Sequence, residues 1–119
     1  MFDDIFIPMD KDIYERYPLV MQQFDNDGFT IRDSNSNEVN FYKIVQAEHY
    51  EFRIDNSVTL KNSMLEFTSQ VYQLSPDKRF LDMTTVAFPE NFLQHEIIKS
   101  YTSKLAEFFR NTLRKLISE

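Results

Sequence analysis

Between Leu93 and Leu116 apolar residues return every three or four positions, at Leu93, Ile97, Tyr101, Leu105, Phe108, Phe109, Leu113 and Leu116. A period of 3.6 gathers them into one stripe of an α-helix, and Lys99, Glu107, Arg110 and Arg114 then project from the other side. Such a stripe needs an apolar surface to cover it. Pro89 suits a first helical position, and Arg110, Arg114 and Lys115 stand where a helix C-terminus favours cations. The spacing predicts a helix over residues 89–119.

The covering surface is legible as a sheet. Asp25, Asn26, Asp27 and Gly28 form a strong turn signal, since Asp and Asn tolerate left-handed backbone and Gly28 accepts positive φ freely. Strands are predicted after it, in GFTIRD with Phe29 and Ile31, in EVNFYKIVQ with Val39, Phe41, Ile44 and Val45, and in YEFRID with Tyr50, Phe52 and Ile54. The polar run 34–38 between the first two reads as a loop. Residues 57–74 fit two patterns: Leu60, Met64, Phe67, Val71 and Leu74 share a helix face, yet Leu65, Phe67 and Val71 also suit alternate strand positions. The turn signal at 75–78, with Pro76 in second place, and the β-branched 79–88 after it favour a hairpin of 64–74 with 79–88. Ahead of the sheet, Ile13, Tyr17, Val20, Met21 and Phe24 have helical spacing, with Asp10 as an N-cap and Pro18 requiring either a start near Tyr17 or two short turns. Ile5, Phe6 and Ile7 form a short strand or a tethered arm.

The sum is an α+β fold in a single domain, 1–119: four or five antiparallel strands packed against a long C-terminal α-helix, with a short N-terminal helical segment. A helix of about thirty residues is ~45 Å long, whereas a strand of usual length spans only ~17–20 Å. The N-terminal helix, or a second copy of the chain in a homodimer paired through the C-terminal helix, would cover the remainder.

Composition removes several function classes. The chain has a single glycine among its 119 residues, Gly28, too few for a phosphate-cradling loop. It has no cysteine, hence no disulfide, thiolate zinc site, iron–sulfur cluster or cysteine nucleophile. Twelve of the residues are Phe, which argues for a packed, Phe-rich core rather than disorder. The N-terminal stretch carries acids where a secretory signal carries positive charge, and no apolar run approaches the ~20 residues that span a bilayer, so a cytoplasmic protein with no membrane partner is expected.

The net charge of −6 is uneven. Residues 1–33 hold eight acids against Lys11, Arg16 and Arg32, for a charge of −5. Such a field opposes nucleic acid and attracts a basic protein partner. Asp3, Asp4, Asp10, Asp12, Asp25 and Asp27 would steer that partner, and Tyr14 and Tyr17 are the nearest aromatic anchors.

No catalytic, cofactor or metal site is expected. Asp25, Asp27 and Gly28 fit three places of a calcium loop, but Gln23 and Ser34 occupy its first and last ligand positions. His49 and His95 lack a second His at ligand spacing. There is no G-x-S-x-G elbow. The aromatics Phe41, Tyr42, Tyr50 and Phe52 are flanked by only Lys43 and Arg53, too thin a basic groove for single-stranded nucleic acid.

In size, acidity and plan the chain resembles small bacterial partner-binding proteins such as secretion chaperones and toxin-immunity proteins, in outline and not in any motif. Three readings follow. One is a non-enzymatic protein-binding module (adaptor, inhibitor, immunity protein or secretion-type chaperone) whose acidic N-terminal third faces a basic partner. Another is a small apolar-ligand-binding domain with a pocket between sheet and helix, lined by Phe41, Phe52, Phe67, Phe88 and Phe108. The last is a self-associating structural subunit of a larger assembly.

Overall fold

The computed structural model describes residues 13–118. The expected strand or arm at Ile5–Ile7, the Asp10 cap and the steering residues Asp3, Asp4, Asp10 and Asp12 lie outside that range. Two short helices come first, α1 (Ile13–Arg16) and α2 (Pro18–Asn26). They meet at Tyr17, because Pro18 cannot continue α1 and instead opens α2 at its first position. Asp27 and Gly28 then reverse the chain, with Gly28 at φ 88° and its N–H donating to the Asp25 carbonyl.

Five strands follow: β1 (Thr30–Ser34), β2 (Glu38–Ala47), β3 (Tyr50–Lys61), β4 (Met64–Ser75) and β5 (Arg79–Pro89). They pair antiparallel in chain order as one meander. The ambiguous segment 57–74 is strand throughout except for the two-residue turn Asn62–Ser63, where both residues take positive φ. Such a tight turn twists with its strands, and this lets β3 and β4 run on as one long hairpin. The 64–74 with 79–88 pairing is present in β4 and β5.

Helix α3 (Gln94–Ile117) lies over one face of the sheet. It starts five residues later than expected. Pro89 is the last residue of β5, the Glu90 N–H donates to the Ser63 carbonyl, and a turn from Pro89 to Phe92 precedes the helix. Leu93 is therefore a cap residue, 69% exposed, and not part of the stripe. Among the described residues no helix is long and apolar enough to cross a membrane.

Two clusters of buried side chains fill the space between α3 and the sheet. The larger gathers α1 and α2 (Ile13, Val20, Met21, Phe24) with Phe41, Val58, Phe67, Ile97 and Tyr101. Phe24 is its hub, stacked on Phe41 at 4.2 Å and on Tyr101 at 5.3 Å between ring centroids. The smaller cluster joins Phe52 and Val71 to Leu116, Phe108, Phe109 and Leu113 at the other end of the helix. The helix is about 36 Å long at 1.5 Å per residue, and a strand of twelve residues spans about 40 Å. The central strands are roughly twice the usual length, so coverage of α3 does not require a second copy of the chain.

Candidate functional site

The inner face of the β3–β4 ladder carries a polar pair between two apolar ones. Ile54 faces Val71 and Val58 faces Phe67, but between these pairs Asn56 faces Ser69. Strand alternation puts all three pairs on the side covered by α3. Asn56 is 3% exposed, and Ser69 is equally deep. Neither the amide nitrogen nor the amide oxygen of Asn56 has a hydrogen-bond partner in the protein. Most buried polar groups are paired, and each one left unpaired costs about 1–3 kcal/mol.

Asn56 and Ser69 form part of the wall of a cavity of about 330 Å³ where the two clusters meet. Phe24, Phe29 and Tyr101 bound it on the side of the first cluster, and Ile54, Val71 and Phe109 on the side of the second. Leu105 of α3 and Val45 of β2 complete the apolar lining. Asp27, Lys43, Thr102 and Ala106 form the rim, where the cavity opens toward solvent. Ala106 leaves room there that a longer side chain on α3 would fill.

Tyr101 lines the same space from the helix side, and its buried hydroxyl has no partner within hydrogen-bonding geometry. Burial pushes its pKa well above the usual tyrosine range; the Asp27 carboxylate pushes the same way, and the neighbouring Thr102 side chain opposes both least strongly. It is thus a neutral phenol, able to donate and to accept. The charged rim groups are engaged locally. Lys43 Nζ donates to the Asp27 main-chain carbonyl at 2.7 Å and sits 4.9 Å above the Phe29 ring, while Asp27 Oδ1 accepts from Gln23 Nε2. The arrangement has the room and the lining to hold a small, largely apolar molecule by its body.

Other concavities are chemically poorer. On the opposite face of the sheet Arg32, Tyr42, Arg53 and Asp55 surround a depression, but Asp55 already pairs with Arg53 at 3.0 Å and approaches Arg32 at 4.0 Å. Among the described residues no group of three or more His, Asp or Glu side chains is arranged to hold a metal ion.

The residues singled out from sequence scatter. Asp27 is at the rim of the cavity, whereas Asp25 and Tyr14 border a separate shallow depression with the exposed Ile31. Tyr17 is 5% exposed, and its hydroxyl donates to the Glu90 carbonyl at 2.7 Å, which ties α2 to the β5–α3 connection. His49 and His95 are exposed, His49 in the β2–β3 turn and His95 at the start of α3. None of Phe41, Phe52, Phe67, Phe88 and Phe108 lines the cavity, because those rings pack into the clusters on either side. The buried polar residues of the cavity wall, Asn56 and Ser69, left one trace in the sequence: a polar residue in the alternation Phe52, Ile54, Asn56, Val58, Leu60. Comparison with protein-family models, curated proteins and solved structures finds no match for the chain.

Proposed function

We propose that this protein is a non-enzymatic binding domain that takes a small, mostly apolar molecule between its sheet and its C-terminal helix. One observation carries the reading: the cavity of about 330 Å³ has largely apolar walls, and the polar residues Asn56, Ser69 and Tyr101 are among those that line it. That volume is within the range of small-molecule sites, and a few convergent polar groups on an apolar lining are their usual composition. At ~30 Å³ per water-sized volume it accommodates a ligand of roughly a dozen non-hydrogen atoms. Native mass spectrometry of the protein from its own host tests this, with Ala106→Trp as a variant that closes the rim from an exposed helix position. A small molecule retained by the wild-type chain and lost from the variant is expected. An unliganded wild-type chain that also binds nothing from an aromatic fragment set would refute it.

The exposed Tyr14 and Ile31 beside Asp25 support a second reading, an acidic patch that receives a basic protein partner. It predicts a partner recovered from host lysate at low salt and lost at high salt. Unchanged recovery on an Asp25→Lys, Tyr14→Ala variant would dismiss it.

A further inference from the structure

The two edges of the sheet are not alike. β1 is five residues long, carries Arg32 and Asp33, and shifts register against β2 between Ile31 and Asp33. Shortness, charge and a bulge are the usual means by which an edge is kept from pairing with another chain. β5 is eleven residues long, and from Asp82 to Pro89 it follows β4 without a shift. Asp82 is the single charge between Phe80 and Pro89, and no proline interrupts the strand before its last residue. Among the described residues no strand pairs with the outer side of β5.

One bond gives the phase of that edge. The Met83 N–H donates to the Asp82 side chain at 2.9 Å. An N–H engaged in the β4–β5 ladder needs no side-chain acceptor, so Met83 is in the phase that faces outward. Alternation puts the main-chain N–H and C=O of Thr85 and Ala87 on the same free side. The side chains of Met83, Thr85 and Ala87 are exposed, on the sheet face opposite α3, while Phe88 between two of them and the end of the strand is buried.

A two-fold axis at Thr85, the midpoint of Asp82–Phe88, matches this edge to itself. Thr85 then pairs with the partner's Thr85, and Met83 with the partner's Ala87 in both directions, which yields about six main-chain hydrogen bonds. The Met83 side chain, 52% exposed, lies across a small residue. Asp82 falls opposite the partner's Phe88, so no charge faces a charge. The Met83 N–H exchanges the Asp82 carboxylate for a main-chain carbonyl. The axis is normal to the sheet, which keeps both copies of α3 on one side of it.

We propose that β5 is a self-pairing edge: two copies of the chain join antiparallel through Asp82–Phe88, centred on Thr85, into one continuous sheet. No residue of β5 lines the cavity, so the pairing is independent of the binding reading above.

Sedimentation velocity of the full chain, from micromolar to millimolar concentration, tests this with Thr85→Lys and Thr85→Glu. Thr85 is exposed and its side chain bonds only the exposed Thr68 hydroxyl at 3.0 Å, so both variants keep the fold, which far-ultraviolet circular dichroism checks. Pairing through one strand is a small interface, and the wild-type chain should pass from the mass of one chain to that of two as concentration rises. Each variant sets two like charges face to face on the axis and should weaken the dimer by about fivefold. An equimolar mixture of the two variants, which sets Lys opposite Glu, should restore it. A single-chain mass up to millimolar concentration overturns the proposal. A dimer that both variants form as well as the wild-type chain overturns it by placing the interface elsewhere, and a mixture no more dimeric than either variant alone overturns the axis at Thr85.

Discussion

Replacing Asn56 by Leu should make this protein more stable, although it alters a residue 3% exposed at the centre of the sheet. Core substitutions usually destabilise by about 1 kcal/mol or more, so the sign alone is informative. Leu has nearly the shape of Asn, which keeps the overpacking cost small. Two amide atoms stand without a protein partner, each costing about 1–3 kcal/mol if fully desolvated. Both atoms are closed off from solvent, so that cost is incurred in the folded state, and the fit of the new side chain is what offsets part of the gain. Leu also continues the apolar rows formed by Ile54 with Val71 and Val58 with Phe67. The expected net gain is about 1–2 kcal/mol, or a rise in Tm of roughly 4–8 °C for a domain of this size. Urea unfolding should show a higher midpoint with an unchanged slope. A loss of about 1 kcal/mol or more would mean that the Asn56 amide is a satisfied structural group in the folded protein.

Other consequences are less central. Tyr101 has a folded-state pKa above its unfolded value of about 10, so its contribution is complete below pH ~10 and is lost as pH rises past that point toward the folded value. Tyr17, raised chiefly by burial, acts in the same direction. Tyr101→Phe should therefore lose less stability than the wild-type chain between about pH 10 and pH 12; identical slopes in pH-dependent urea melts would contradict the assignment. Tyr17→Phe should cost about 1 kcal/mol through the lost bond to the Glu90 carbonyl, measurable as a lower urea midpoint, and a neutral result would show that this tie is dispensable. Asp82 is held below the usual carboxylate range by the Met83 N–H first and by Lys115 next. Its stabilising effect is present above pH ~4 and fades as pH falls below that. Lys115→Met should raise the Asp82 pKa in an NMR titration while changing stability by less than ~1 kcal/mol, as befits an exposed pair. An unmoved pKa would leave the Met83 N–H as the sole cause.

The fold was readable wherever one periodicity stood alone. The stripe from Ile97 to Leu116 and the alternation of Tyr50, Phe52 and Ile54 each have a single solution, and both elements are found in the structure. Pro89 was misleading because proline suits a strand end as well as a helix start, and only the pairing of Met64 with Pro89 decides between them. The site was hidden for a related reason. Asn56 follows Asp55 in a polar stretch that resembles the end of a strand, and its meaning depends on Ser69, thirteen residues later, being its cross-strand partner. The apolar residues expected as a lining failed for a physical reason: the rings with the greatest gain from burial pack against each other, so a cavity opens where the inner face is small or polar. Asn56, Ser69 and Ala106 are that place.

The most direct test of the account is a ¹H–¹⁵N NMR titration of the isotope-labelled protein with naphthalene, a small apolar probe, read residue by residue. Saturable shifts are expected at Val45, Ile54, Asn56, Ser69, Leu105 and Phe109, including the Asn56 side-chain amide, and these should be suppressed in Ala106→Trp. Shifts confined to the exposed face around Tyr42 and Arg53, or none at saturating ligand, would show that the space between sheet and helix is not a binding site.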